Sequence, residues 1–233
     1  MIRLCIDSSA KAASVALLQD GRLLSEQFLN VGLTHSETLL PMVSSVLSAA
    51  KLQLGAVDCY TVTHGPGSFT GIRIGIAAVK GMALANGSPC VGVSTLEAMA
   101  WNLAGQDCIA VCTMDARCAQ VYTALFRCTR QGVTRLCADD ALPITALAEK
   151  LEAYQGEPLV LLGDGAQLCV DALAQTALDI RLAPEHLRYQ RAAGAGFASL
   201  QSDESVSAAD LIPVYLRLPQ AERELKKRTE NQE

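Results

Sequence analysis

Aromatic side chains, long apolar runs and an excess of basic charge are all scarce or missing in this sequence of 233 residues. Aromatic residues make up 4% of the chain and apolar residues 50%, so we expect a core of aliphatic side chains. No apolar run reaches the roughly 18 residues that span a bilayer. The net charge of −5 argues against tight, direct nucleic-acid binding, which normally uses a basic surface.

A secretory signal and a zinc-binding cysteine pattern are also lacking. The first apolar run is short and is interrupted by Asp7. Nine cysteines, an odd number at irregular spacing, indicate reduced thiols and a cytoplasmic protein. Cys108 and Cys112 have no Cys or His partners at the spacing that zinc requires, so we predict no metal site.

The first half of the chain predicts three strands followed by alternating helices and strands. The Asp20-Gly21 pair between two apolar runs is typical of a β-hairpin. Thr34, with Glu37 three residues later, predicts a capping box, and Thr95 is expected to cap a later helix. The predicted elements are strands at 2–7, 12–19 and 22–29, a helix at 34–50, a strand at 57–63, a helix at 71–85 and a strand at 89–93.

The second half repeats this βββαβα order less regularly, which predicts an α/β protein of two subdomains with mixed sheets. We expect the subdomains at 1–105 and 106–212, with a tail at 213–233 that packs back on the first. The predicted elements of the second half are strands at 108–114, 121–127, 133–136 and 158–162, and helices at 143–154, 166–175 and 186–200.

The most informative segment is the glycine-rich loop over 64–75, between a predicted strand and a predicted helix. Its glycines indicate a backbone that turns tightly or is approached closely. Backbone N–H groups ahead of a helix N-terminus can bind an anion. The loop is not a Walker A motif, because no Gly-Lys-Ser/Thr follows. Two interpretations stay open here, an anion site or a tight turn that packs against protein.

A strand that ends in Asp7-Ser8-Ser9, in a duplicated βββαβα chain, resembles the actin-like ATPase fold (the ASKHA, RNase H-like class). Three segments narrow this resemblance to the TsaB (YeaZ) family: the loop over 65–73 and the segments over 35–41 and 213–217. The resemblance implies a role in making N6-threonylcarbamoyladenosine in tRNAs that read ANN codons, as the non-catalytic partner of TsaD. It also implies TsaE as a partner, a homodimer when alone, contact with tRNA only through the complex, and no membrane.

The resemblance further implies a degenerate nucleotide site, in which Asp7 holds a magnesium-bound water and Ser8 and Ser9 touch phosphates. The alternative is that these side chains only satisfy backbone donors in their own turn. Asp164 interrupts the second glycine pair and disfavours a polyphosphate there. We expect no required cofactor, with weak or interface-bound ATP or ADP and Mg²⁺ left open. The candidate residues are Asp7, Ser8, Ser9, Gly65, Gly67, Gly163 and Gly165.

A bundle of helices is the predicted route to a partner. The helix after the glycine loop is apolar nearly all round and needs cover on two sides. Either the chain covers both sides itself, or the first two helices pack against their equivalents in TsaD or in a second copy, with Arg73 at the rim. The predicted interface residues are Leu39, Leu40, Val43, Val46, Leu47, Arg73, Gly75, Ile76, Ala78, Val79 and Met82.

Three functions compete for this sequence. A non-catalytic scaffold that docks TsaD predicts an exposed apolar helix face and an incomplete active site. An ATP-dependent transferase or phosphotransferase acting on its own predicts an intact phosphate clamp, with Asp7 as the base. A metalloprotease, or a metal site of the TsaD type, needs two histidines four residues apart, and Leu39 stands where the partner of His35 would be. We therefore favour the scaffold and predict no catalytic residue.

Overall fold

The computed structural model describes residues 1–202 and 204–217, and it places them in strands and α-helices arranged around two sheets. Within these residues, no helix is both long enough and apolar enough to span a membrane. The strands are β1 (Ile2–Asp7), β2 (Ala13–Gln19), β3 (Arg22–Leu29), β4 (Cys59–Gly65), β5 (Cys90–Ser94), β6 (Cys108–Asp115), β7 (Gln120–Thr129), β8 (Gly132–Arg135), β9 (Asp140–Pro143), β10 (Leu159–Leu162) and β11 (Ile180–Leu182). The helices are α1 (His35–Ala49), α2 (Phe69–Asn86), α3 (Thr95–Ala100), α4 (Ile144–Leu151), α5 (Ala166–Leu173), α6 (Glu185–Arg188) and α7 (Ala192–Ser199).

Both sheets have the same strand order, as a duplicated unit requires. The first runs β3-β2-β1-β4-β5 and the second runs β8-β7-β6-β10-β11, with β9 added beside β7. In each sheet the first three strands form an antiparallel meander, and the last two run parallel to the first. The predicted α/β fold with two mixed sheets is confirmed. Strand β11, the equivalent of β5, and the additional strand β9 are short, and the sequence pattern did not predict either of them.

Local turn and cap chemistry is only partly as predicted. The β2–β3 hairpin is confirmed, because Asp20 and Gly21 both have positive φ angles, 50° and 78°. The capping box is wrong, since Thr34 makes no side-chain bond at the start of α1. Thr95 is not a cap either: Ser94 caps α3 by accepting a hydrogen bond from the Glu97 N–H.

The helix predicted over 186–200 is interrupted. The backbone is extended at Tyr189 and Arg191, which separates α6 from α7. The Arg191 guanidinium binds the Glu26 carboxylate of β3, and Glu26 also accepts the N–H of Ala193 at the start of α7. These contacts place α7 against β1, β2, β4 and β5 of the first sheet, although the sequence assigned its residues to the second subdomain.

The apolar faces of α1 and α2 lie inside the first unit, which corrects most of the predicted interface. These side chains pack on the sheet because each helix directs its apolar stripe toward the nearest large apolar surface. Leu40 is the exception, with 55% of its surface exposed, and Ala78 is half-buried. The residues predicted for an interface but buried within the chain are Leu39, Val43, Val46, Leu47, Gly75, Ile76, Val79 and Met82.

Val214 and Tyr215 of the predicted tail pack on the first unit, while 218–233 lie outside the described residues. The Val214 N–H donates to the His64 carbonyl at 2.8 Å, and the Tyr215 ring stacks on Phe69 at 4.7 Å between centroids. Arg73 lies over the Phe69 ring and donates from Nε to the Tyr215 hydroxyl at 2.8 Å. Arg73 therefore anchors the segment that carries Val214 and Tyr215. The sequence analysis had instead placed Arg73 at the rim of an interface with a partner.

Candidate functional site

A cleft of about 510 Å³ lies between the two sheets, at the ends of β1 and β6. The strand-end turns of the two units face each other across it, and the tail segment closes one side. Its lining carries charges of both signs: the basic residues are Lys11, Arg117 and Arg217, and the acidic residues are Asp115 and Asp164. Because the duplicated fold brings equivalent turns together here, this cleft is the candidate functional site.

Asp7, the first predicted site residue, does not reach the cleft. Its side chain is completely buried. Its Oδ1 atom accepts the Ser9 N–H at 3.0 Å and the Ser9 hydroxyl at 2.9 Å. Burial raises the pKa of Asp7 to about 6, against the opposing effect of the hydrogen bonds from Ser9. The residue therefore orders its own turn, in line with the simpler of the two interpretations.

The glycine-rich loop packs against that same turn. A Cβ on Gly67 would lie 2.2 Å from the Ser9 carbonyl oxygen, and one on Gly71 would lie 2.1 Å from that of Ser8. The Ser68 N–H donates to the Ser9 carbonyl at 2.6 Å, and the Ser8 hydroxyl donates to the Gly71 carbonyl at 2.8 Å. The Gly71 N–H donates to the Ser68 hydroxyl at 3.2 Å, so two backbone donors at this helix start, those of Ser68 and Gly71, bind protein groups. This favours the packing interpretation of the loop.

The remaining predicted glycines are also explained by close backbone approach. A Cβ on Gly65 would meet the Val214 carbonyl oxygen at 2.1 Å, and one on Gly163 would meet that of Thr113 at 1.9 Å. A Cβ on Gly165 would lie 2.9 Å from the Met114 carbonyl carbon. In the direction of a Cβ atom, each of these three glycines therefore meets protein backbone and not the open cleft.

These seven residues do not fit a nucleotide with magnesium in the arrangement described. Ser9 and Gly67 line the cleft, but the one carboxylate among the seven is sealed from it, and a Cβ on any of the glycines would meet neighbouring backbone. Among residues 1–202 and 204–217, no group of three or more His, Cys, Asp or Glu is placed to hold a metal ion. His35 begins α1, where its Nε2 lies 2.7 Å from the Ala10 carbonyl, and Leu39 is buried beneath it in the core.

Sequence reasoning singled out Asp164 but missed the other charged residues that line the cleft. Asp115 ends β6 as Asp7 ends β1, so the duplicated strand order could have pointed to it. Its Oδ1 atom accepts the Arg117 N–H at 2.7 Å, while its own N–H donates to Asp164 at 3.1 Å. Arg217 reaches across from the tail to the Ala116 carbonyl, a contact that no local pattern signals.

The repeated sheets and the cleft between them define an α/β protein of the actin-like ATPase class. A family model described as "TsaD: tRNA N6-adenosine threonylcarbamoyltransferase" matches residues 30–223. The curated protein TsaB of Escherichia coli is 34% identical over 182 residues, covering 76% of this chain and 78% of that protein. TsaB of Bacillus subtilis is 29% identical over 226 residues, covering 95% of this chain and 96% of that protein.

Solved structures agree with these sequence relatives. The structure of YeaZ from Pseudomonas aeruginosa superposes with a TM-score of 0.73 at 29% identity, covering 92% of this chain and 99% of that one. The chain belongs to the TsaB (YeaZ) family.

Proposed function

We propose that this protein acts in the biosynthesis of N6-threonylcarbamoyladenosine in tRNA, as the non-catalytic partner of a TsaD protein, with TsaE joining them in the cytoplasm. The names of the curated relatives supply the pathway, since they are called tRNA threonylcarbamoyladenosine biosynthesis proteins. The TsaD family model that matches most of the chain supports a partner of the same fold.

The observation that supports the scaffold role is that the residues a metal site or a phosphate clamp would need are replaced or already bonded within the chain. Leu39 replaces the second histidine of a TsaD-type metal site and is buried in the core. Asp7 and the glycines that a phosphate clamp would use are committed to packing within the chain. A chain of this kind supplies a surface to its partner, and the chemistry belongs to the partner's own site.

The exposed faces of α1 and α2 are the proposed docking surface. On α2 these positions are Arg73, Ala77, Gly81 and Leu84, with Leu84 70% exposed. Small residues beside a leucine let a second helix approach closely and still bury apolar area. Leu40 presents a second exposed leucine on α1, the adjoining helix.

The test combines light scattering after size exclusion with a tRNA threonylcarbamoylation assay, on this chain alone, on TsaD alone and on the mixture. We expect a homodimer that converts to a heterodimer with TsaD, and modification only with TsaD present. Leu84→Glu and Gly81→Glu should each weaken association by at least about tenfold. Nothing lies within 4 Å of the Cβ position of Gly81, so that variant should fold.

The matched control is Leu168→Glu, which alters an exposed leucine of α5 on the second unit. It should pair with TsaD as the unchanged protein does. Normal association of both α2 variants would move the docking surface elsewhere, and modification by this chain without TsaD would favour the alternative, an ATP-dependent transferase acting on its own.

A further inference from the structure

Cys108 and Cys128 face each other across the second sheet. In the antiparallel pairing of β6 with β7, Cys108 lies directly opposite Cys128. Directly opposed residues project to the same face of a sheet, with Cβ atoms about 4.5–5.5 Å apart. A disulfide needs about 3.5–4.5 Å between Cβ atoms, so the two Cβ atoms must approach each other by about 1 Å.

Each cysteine shifts the pKa of the other: Cys128 lowers the pKa of Cys108, and Cys108 raises the pKa of Cys128. At Cys108, burial and the Asp107 carboxylate oppose this shift, and Arg181 adds to it. At the core thiols Cys5, Cys90 and Cys169, burial is the largest effect and raises the pKa. The pair thus combines a nucleophilic sulfur with a neighbour that keeps its proton.

Access to the pair comes from the end of the sheet. Cys108 is the first residue of β6, follows four exposed residues, and keeps 8% of its own surface accessible. Cys128 is fully enclosed against α3, where its sulfur lies 3.6 Å from the Ala100 carbonyl. A small oxidant therefore meets Cys108 first.

We propose that Cys108 and Cys128 form a peroxide-sensitive thiol pair that closes to a reversible disulfide. The Cys108 thiolate attacks hydrogen peroxide, breaking the O–O bond to give a sulfenic acid and hydroxide. The Cys128 sulfur then attacks the Cys108 sulfur and displaces the sulfenic oxygen, which leaves as water with the Cys128 proton. Two thiols lose two electrons in total, and one peroxide is reduced to two waters.

The experiment treats the folded chain with hydrogen peroxide in a Cys118→Ser background, because Cys118 is exposed and would react by itself. From the nine cysteines of the chain, that background keeps eight thiols. Thiol titration after denaturation should fall from eight to six and return to eight with dithiothreitol. Tryptic peptides should show 128–130 linked to 81–117.

Two variants separate this pair from other thiols. With Cys128→Ala the reaction should stop at the sulfenic acid, which dimedone then labels at Cys108. Cys112→Ala is the matched control, since Cys112 shares the strand and the face but lies opposite Ala124, and it should still lose two thiols.

The proposal is overturned if the folded background protein loses no thiols to peroxide. Equal thiol loss in Cys128→Ala, with no dimedone label at Cys108, would overturn it too. These readouts do not depend on tRNA modification, so the outcome is separate from the proposed function. If an alanine variant does not fold, as judged by circular dichroism, the linked peptide in the background protein decides the matter.

Discussion

The backbone of Gly67 lies so close to the Ser9 carbonyl that a methyl group on it would be 2.2 Å from the oxygen. Gly67 also has a φ of 154°, a region that other residues rarely adopt. This contact, together with the bonds of Ser68 and Gly71 to the same turn, joins the glycine-rich loop to the turn after β1 and forms part of the cleft wall.

Gly67→Ala should therefore destabilise the protein by about 2–4 kcal/mol, through backbone strain and the clash with Ser9. Urea unfolding followed by circular dichroism measures the loss. Gly81→Ala is the matched control, because the space beside Gly81 in α2 is open. That change should stabilise the helix by up to about 1 kcal/mol. Equal stability of the Gly67→Ala variant and the unchanged protein would mean that the loop can move away.

Asp7→Asn should stabilise the protein progressively as the pH rises from about 4 to 6. The pKa of Asp7 is raised from 3.8 to about 6 in the folded state, so that state binds more protons in this window. The stability of the unchanged protein then falls with rising pH, by about 3 kcal/mol in total, and the variant lacks this loss.

The measurement is the difference in unfolding free energy between the variant and the unchanged protein at several pH values. It should grow between pH 4 and 6 and then stay constant. A difference for Asp7→Asn that does not change with pH would show that its carboxylate is not penalised by burial.

The parts of the fold that sequence reasoning predicted are those fixed by nearby residues. The Asp20-Gly21 hairpin needs only two positive φ angles in succession, and the strand order follows from apolar runs and turn signals. The glycine-rich loop was recognised, but its partner, the Ser9 carbonyl, belongs to a distant turn that no local pattern identifies. Likewise, α6 and α7 were merged, because the break at Arg191 depends on Glu26, 165 residues away.

Most of the residues predicted for the interface are buried within the chain, for a related reason. Helical periodicity marks which residues share a face, and Leu39, Val43 and Val46 do share one. Periodicity cannot say whether that face meets the chain's own sheet or a partner. The structure places it on the sheet, so the surface left for docking consists of residues such as Leu84 that lie on the opposite side.

Arg73→Ala should loosen the segment that carries Tyr215. The guanidinium stacks on Phe69, 3.7 Å from the ring centroid, and hydrogen-bonds the Tyr215 hydroxyl. Losing both contacts at an exposed site should cost about 1 kcal/mol, which is about a fivefold increase in opening. Hydrogen exchange at the Val214 N–H, which binds the His64 carbonyl, reports this directly. Arg22→Ala, at an exposed position of β3, should leave that exchange rate unchanged.

Glu26 is the residue on which the position of α7 depends. Its carboxylate binds the Arg191 guanidinium and accepts the Ala193 N–H, so it caps a helix that follows much later in the chain. Its side chain keeps only 12% exposure, and its Oε1 atom also accepts the Ser14 hydroxyl at 3.2 Å. Because several donors lose their acceptor together, Glu26→Ala should destabilise the protein by about 2–3 kcal/mol in urea unfolding.

Glu26→Gln keeps an acceptor oxygen and loses the charge, so it should cost less than Glu26→Ala. Glu37→Ala is the matched control, because the capping box that would have engaged Glu37 is not formed and its side chain is exposed. That control should change stability by less than about 0.5 kcal/mol. If Glu26→Ala is as mild as Glu37→Ala, then α7 is held on the first sheet by its apolar contacts alone.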